Sequence, residues 1–327
     1  MNKKILITGG AGYIGSFTVP AIKENGYEPV IIDNLSSGHK NAVPGVRIIK
    51  FDLTKDSKKL AAIFKEEKFD GVIHMASFIQ MGESFRDPGK YFQANLTAAL
   101  NVLDAMVITG TKYFILSSNA GVYGNPKKLP ITEDTSKKPL NPYSETKLII
   151  ERFLQWYSQA HEIKYFSIRY FNAAGAALDG SRGEDHPNES HLIPLAIKAS
   201  LEDKEFKLFG DDYDTPDGTC VRDYIHVLDL ASAHVKALGY LFDGGNSNLV
   251  NAGAGRGYSN REILDEVQKV AGKKMKIAIE ARRKGDADQL YAANDKIKKL
   301  LSWKPKYGLS EIISSAYMWH KDHPNGY

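Results

Sequence analysis

The chain has 327 residues, 43% hydrophobic and 25% charged, which suits a globular protein with a large core and a smaller appended unit. Its net charge of +4 comes from 43 basic and 39 acidic residues spread along the length, which excludes a nucleic-acid binder built on a strong basic field. Cys220 is the one cysteine, so there is no internal disulfide, and no apolar run is long enough to span a bilayer; a soluble cytoplasmic protein with no membrane partner is expected.

Short apolar, β-branched runs alternate with amphipathic helical stretches through the first half, the pattern of a parallel sheet covered on both faces. The first run, residues 5–8, leads into Thr8-Gly9-Gly10-Ala11-Gly12-Tyr13-Ile14-Gly15. A strand that feeds glycines and then a helix lets backbone N–H groups approach a pyrophosphate, whose charge is favoured at the helix N-terminus. Taken alone, Gly9, Gly12 and Gly15 also fit a plain tight turn. Pro20 falls inside the helix that follows and predicts a kink, because proline removes a donor and crowds the preceding turn at a cost of about 3 kcal/mol. The second run, 29–33, ends on Asp33, a carboxylate placed to hold an adenosine ribose and repel a 2′-phosphate, which favours NAD over NADP.

Further strands are expected at 46–51, 71–75, 113–117 and 164–170, with a long helix from about 88 to 107 on the spacing of Leu96, Leu100 and Leu103. Right-handed crossovers then give a Rossmann-like, doubly wound α/β fold. Asn141-Pro142 opens a helix that carries Tyr143 and Lys147 four residues apart, on one face. A phenol with a pKa near ~10 becomes a usable base only where positive charge favours the phenolate, and Lys147 supplies such a charge. The same spacing also occurs on surface helices without function.

After Gly175 the composition shifts toward Gly, Asp, Glu and small residues, read as substrate-facing loops or as plain connectors. The expected division is a dinucleotide-binding unit over 1–175 and a smaller α/β unit over 176–327, with segments near 220–240 returning to the first. Ser259 and Glu262 form a capping box at another helix. The stretch Glu184-Asp185-His186-Pro187-Asn188-Glu189-Ser190-His191 has neither helical His spacing nor a cysteine pair, so no metal is expected there. His226 and His234 read as packed or surface histidines.

Beyond the glycine turn and the tyrosine helix, Asp33-Asn34-Leu35, Asp52-Leu53, Val72-Ile73-His74-Met75-Ala76, Gly82-Glu83-Ser84 and Arg169-Tyr170-Phe171-Asn172 recur as a set. With Val221-Arg222-Asp223-Tyr224 and Arg283-Lys284-Gly285-Asp286, the more discriminating pieces, the chain resembles the UDP-galactose 4-epimerase family of the extended short-chain dehydrogenase/reductase superfamily over nearly its whole length. The resemblance implies an NAD-dependent isomerase of galactose metabolism that inverts C4 of a UDP-hexose through a 4-keto intermediate. Tyr143 would take the 4-hydroxyl proton. Cofactor contacts are implied at Gly9, Gly12, Tyr13, Ile14, Asp33, Asn34, Asp52, Leu53, Asn95, Tyr143, Lys147 and Tyr170. UDP-sugar contacts are implied at Asn172, His191, Leu192, Arg222, Arg283 and Asp286, the two arginines offering donor forks to a pyrophosphate, although structural salt bridges would use the same residues.

The family also pairs through two long helices, here around 91–107 and 144–161, so a homodimer is expected; Phe92, Leu148, Ile149, Phe153 and Trp156 could equally face the sheet. Three positions depart from the family. Asn119 replaces the usual Ser or Thr, and its amide orients a hydroxyl but cannot relay a proton. Either Tyr143 takes the proton directly, Ser118 substitutes by a small shift, or turnover is slow. Ile79 stands where many relatives place a lysine near the cofactor phosphates, and Leu290 stands at the position that gates 2-acetamido sugars, favouring plain hexoses. A 4,6-dehydratase would need an Asp-Glu pair where this chain has Ala120 and Gly121, and a non-catalytic binding protein is the remaining rival.

Overall fold

The protein is described by a computed structural model over residues 2–283 and 286–327; Lys284 and Gly285 lie outside the described residues. The six apolar runs form β1 (Lys4–Thr8), β2 (Glu28–Asp33), β3 (Arg47–Lys50), β4 (Gly71–His74), β5 (Tyr113–Asn119) and β6 (Lys164–Tyr170). All pair in parallel, in the order β3-β2-β1-β4-β5-β6. Helices cover both faces, so strand interiors are buried on both sides and read as unbroken apolar runs instead of alternating ones. The chain reverses direction across the sheet at β1, which lies between β2 and β4, and this opens a crevice at the carboxyl ends of those strands.

A seventh strand, Asn248–Ala252, adds in parallel beside β6. It is delivered there by the helix Val227–Phe242, whose Leu230, Ala233, Leu238 and Leu241 enter the same core as Ile5, Ile7 and Ile115. The return to the sheet therefore runs as far as residue 252, past the 220–240 expected from the sequence.

The helix Tyr13–Glu24 continues through Pro20. Proline leaves the Ser16 carbonyl, four residues earlier, without a helical donor. The Arg182 guanidinium donates to that carbonyl at 3.2 Å and lies over the Phe17 ring. The expected single helix over 88–107 is continuous but not uniform: Pro88–Tyr91 and Thr97–Thr109 are joined by one π turn, Phe92–Leu96, which contains the buried Asn95.

The remaining residues pack the helices Leu192–Leu201, Asn260–Ala271 and Leu309–Asp322 around Ile193, Ile197, Leu264 and Ile312. The capping box forms, Glu262 N–H donating to Ser259 Oγ at 3.1 Å and Ser259 N–H to Glu262 Oε2 at 2.7 Å. Among the described residues no helix is long and apolar enough to cross a membrane.

Candidate active site

The glycine turn has the geometry its sequence suggests. Gly9 has φ +68°, and a Cβ there would come within 2.7 Å of the Ala76 nitrogen; at Gly15 it would meet the Gly9 carbonyl at 2.5 Å. The helix that follows starts at Tyr13 and Ile14 with no side-chain cap and no acidic residue in its first turn, so its N–H groups and dipole are left for an outside anion. Asp33, at the end of β2, accepts from Ala11 N–H at 3.1 Å and Leu35 N–H at 2.8 Å. Burial pushes its carboxyl upward, and those two donors pull it back. Asn34 and Asp52 each cap their own turn, accepting from Ser36 N–H at 3.0 Å and Thr54 N–H at 2.9 Å, while the buried Leu53 accepts from Asn101 Nδ2 at 2.7 Å. A backbone cradle closed to any Cβ, an uncapped helix and a carboxylate at the end of the second strand together fit a dinucleotide.

The helix Pro142–His161 is started by Asn141, whose side chain accepts from Ser144 N–H at 2.8 Å, with proline in the first turn. Tyr143, Lys147 and Glu151 follow at intervals of four on its buried face. Lys147 Nζ donates to the Ser117 carbonyl at 2.8 Å and stands 6.0 Å from the centre of the Tyr143 ring. Burial pushes Lys147 down to about 8, opposed by the nearby Glu151 carboxylate. Burial also drives the Tyr143 phenol well above its ordinary value, with Tyr170, itself raised by burial, adding to the effect. The phenol holds its proton unless positive charge is brought beside it.

Asn95 ties this helix to the loop after β4: its amide pairs with both the N–H and the carbonyl of Phe78, at 2.8 and 3.2 Å, and donates to Thr146 Oγ1 at 3.1 Å. Ile79 stands exposed in that loop. Asn119 ends β5, more than nine-tenths buried, and among the described residues neither amide atom has a hydrogen bond of ordinary geometry, while its amide lies near enough to the Tyr143 phenol to oppose the upward push of burial. Ser144 Oγ is likewise buried and unpartnered, and a Cβ on Gly121 would collide with both groups. Such groups are rare in a finished core and mark a corner prepared for a polar ligand.

Ser118 is not part of that corner. Strand residues alternate faces, and its hydroxyl donates to Glu151 Oε1 at 2.8 Å, inside the buried pair that Glu151 makes with Arg169 at 2.9 and 2.5 Å. The expectation that a small shift lets Ser118 stand in for the missing hydroxyl has no geometry behind it.

At the other end of the crevice, Arg222 pairs in register with Leu290 and donates to the Val221 and Asp288 carbonyls at 2.9 and 3.4 Å. It makes no ion pair among the described residues, whereas Arg283 pairs with Asp286 at 3.1 Å. Asn172 is exposed and donates to the Asp223 carbonyl at 2.9 Å. Phe171, Ala120 and Tyr123 share a core cluster onto which Leu290 packs, joining the ends of β5 and β6 to the Arg222 strand. His191 and Leu192 instead open the helix Leu192–Leu201, with His191 Nδ1 held 2.5 Å from Glu184 Oε1.

Sequence reasoning missed two arrangements. Asp223 is fully buried and its carboxylate accepts from Ala254, Gly255 and Ala292 N–H at 2.6, 3.2 and 3.0 Å, anchoring the strand that carries Arg222; burial pushes it up to about 6. A lone acid in the segment 221–227 was the available signal. The second is the convergence of Glu184, His186, Glu189 and His191, which arises from a loop and has no periodic spacing. His226 caps the helix after it and His234 bonds to the Leu230 carbonyl, both packed.

The sequence is 45% identical to the UDP-glucose 4-epimerase of Lactobacillus helveticus, over 99% of both chains. The crystal structure of UDP-glucose 4-epimerase from Brucella ovis in complex with NAD is 42% identical, with a TM-score of 0.93 over 96% of this chain and 97% of that one. The enzyme from Bifidobacterium longum in complex with NAD+ and UDP is 36% identical, with a TM-score of 0.94 over 99% of this chain and 100% of that one. Residues 5–253 match the NAD dependent epimerase/dehydratase family, a span holding both the glycine turn and the tyrosine helix, and the chain belongs to that family.

Proposed function

We infer that the protein is an isomerase that reversibly inverts C4 of a UDP-hexose, interconverting UDP-galactose and UDP-glucose with NAD as a cofactor that is not consumed. The observation that carries this reading is the buried Tyr143–Lys147 pair beside the unpartnered Asn119, at the carboxyl end of the sheet that starts with the glycine turn. Bound NAD supplies the redox step, taking C4 to the ketone level and back. The protein does the rest. The turn at Gly9 and Gly12 and the helix start at Tyr13 and Ile14 hold the pyrophosphate, and Asp33 with Asn34 the adenosine ribose. Asp52, Leu53, Asn95 and Tyr170 frame the remainder of the cofactor.

Tyr143 accepts the 4-hydroxyl proton and returns it. The charge on Lys147 works against the burial that keeps the phenol protonated. The free Asn119 amide orients the hydroxyl and then polarises the ketone. Asn172, His191, Leu192, Arg222, Arg283 and Asp286 hold the UDP-sugar, with Arg222, which has no carboxylate partner among the described residues, turned to the diphosphate. Neither Ala120 nor Gly121 can serve as acid or base, which disfavours a dehydratase. In this reading residues 1–175 carry the cofactor and 176–327 mainly the nucleotide sugar, and the enzyme serves galactose metabolism in the cytoplasm. It works as a homodimer, a reading supported by the exposure of Trp156 and Ile108, 68% and 57%, on the two long helices.

The test is UDP-galactose conversion followed by proton NMR. Tyr143→Phe should abolish conversion and leave NAD binding nearly intact; unchanged turnover removes Tyr143 from the mechanism. A lasting 4-keto-6-deoxy sugar means a dehydratase, and binding without interconversion means a sensor.

A further inference from the structure

The loop 184–191 folds two carboxylates and two imidazoles onto one point. The ligating atoms of Glu184, His186, Glu189 and His191 all lie within 4.8 Å of one another. The side chains of Glu184 and Glu189 are only 4% and 7% exposed. Two carboxylates buried together repel unless cations lie between them. Both histidines turn the same nitrogen inward. His186 Nδ1 is 3.4 Å from Glu184 Oε1 and 3.4 Å from Glu189 Oε2, and His191 Nδ1 is 2.5 Å from Glu184 Oε1 and 3.8 Å from Glu189 Oε1.

Donors held at about 2.0–2.1 Å from a tetrahedral zinc ion stand roughly 3.3–3.4 Å apart. The two His186 separations already match that edge, while Glu189 meets His186 through Oε2 and His191 through Oε1, so one of its oxygens is the ligand and the four donor atoms, now within 4.8 Å of one another, need only a small adjustment. The short contact to Glu184 opens by rotating the half-exposed His191. We propose that these four residues bind one divalent transition ion of the zinc class in a tetrahedral N2O2 site. Mixed imidazole and carboxylate donors suit zinc, whereas calcium and magnesium take all-oxygen shells. Glu189 Oε1 also accepts from the N–H groups of Ser190 and His191 at 2.7 and 2.8 Å, which fixes the carboxylate as an outer shell would.

Four protein ligands close the coordination sphere, so the ion is structural. The Tyr13 ring meets His186 edge to face at 6.4 Å, and its hydroxyl donates to the Gly175 carbonyl at 2.6 Å. The neighbouring Asp185 lies 3.4 Å from His39 Nε2 and accepts from Tyr327 N–H at 3.1 Å. The ion thus fastens the loop that leads into His191 and Leu192 to the glycine turn and to the last residue of the chain.

The test strips the purified full-length protein with a chelator, dialyses it against limiting Zn2+, and counts zinc per chain by mass spectrometry. One ion per chain is expected to survive dialysis in the wild type and in His161→Ala, an exposed histidine elsewhere, and to be lost in His186→Ala and Glu189→Gln. Cobalt loading should give the intense visible bands of a tetrahedral ion. His191→Gln, which keeps a polar side chain at a half-exposed position, should weaken zinc affinity at least tenfold with unchanged circular dichroism, which separates lost binding from lost folding. A wild type that keeps no zinc, or equal retention in wild type and all three variants, overturns the proposal in favour of an ion-pair network alone.

Discussion

Lys147 is suspended between the Ser117 carbonyl, 2.8 Å from its Nζ, and the Tyr143 ring, 6.0 Å away, so one buried charge is aimed at one buried phenol. Burial holds Lys147 down to about 8. Below that pH it is charged and supports the phenolate; above it the support is withdrawn. Because kcat/KM reports groups of the free enzyme, it should fall above about pH 8. Lys147→Arg stays charged and should lose this alkaline limb while turning over more slowly. Lys147→Met should lose roughly 10²-fold or more at every pH. A wild-type profile that stays flat to about pH 10, where a free lysine titrates, would remove the electrostatic role.

Asn119 makes the proton step testable from the other side. A hydroxyl at this position can pass a proton and an amide cannot. Asn119→Ser should therefore raise kcat on UDP-galactose by about threefold to tenfold, a small part of the gain general acid–base groups supply. Asn119→Ala, which removes the polar contact outright, should lower it. No gain in the serine variant would mean that a hydroxyl relay adds nothing to the direct transfer to Tyr143.

Much of this site was legible because its parts are local in sequence. The glycine turn lies within eight residues, and Tyr143 and Lys147 share one helical face. The parallel strands were legible because burial on both faces leaves unbroken apolar runs. The strand Asn248–Ala252 was not, since only Leu249 and Val250 stand between its asparagines and its place in the sheet is set by the preceding helix. The π turn at Phe92–Leu96 left no mark in the pattern of leucines. Which way Ser118 points depends on Arg169 and Glu151, partners 51 and 33 residues away, and spacing alone cannot supply that.

Pro20 shows a local cost met by a distant residue. The Ser16 carbonyl it leaves free is buried, and Arg182 supplies the donor from 166 residues away. Arg182→Ala should cost about 1–3 kcal/mol in urea denaturation, the range for leaving a buried acceptor without its partner. Pro20→Ala restores a helical N–H to the same carbonyl, so in that background the cost should shrink by at least ~0.5 kcal/mol. Additive effects of the two substitutions would show that the guanidinium stabilises only by stacking on Phe17.

Acid should unfold this protein early. His74, His226, His234 and His320 are buried, and burial, the leading cause at each, holds them down to about 3, 4, 4 and 4. Lys147 adds to the effect at His74 and His234 and Lys198 at His320, while Glu311 opposes it at His226. Each folded value lies below the unfolded one of 6.5, so the unfolded chain takes up the proton first and stability falls as pH drops from about 6.5 toward 4. Asp223 works the other way over much of that range: raised to about 6, it is protonated first in the folded state and returns stability as pH falls. Asp33 and Asp229, also pushed up by burial, act in the same sense as Asp223, so the three protons left by four histidines against Asp223 alone, roughly 4 kcal/mol per pH unit, are an upper bound, against a total stability of about 5–15 kcal/mol. Urea midpoints measured from pH 7 to pH 5 should fall accordingly. In His234→Gln, which keeps a donor for the Leu230 carbonyl but cannot ionise, the slope should be shallower by about one proton. Midpoints that hold steady across that interval, or a slope untouched by the glutamine, would show that these histidines reach water before the chain unfolds.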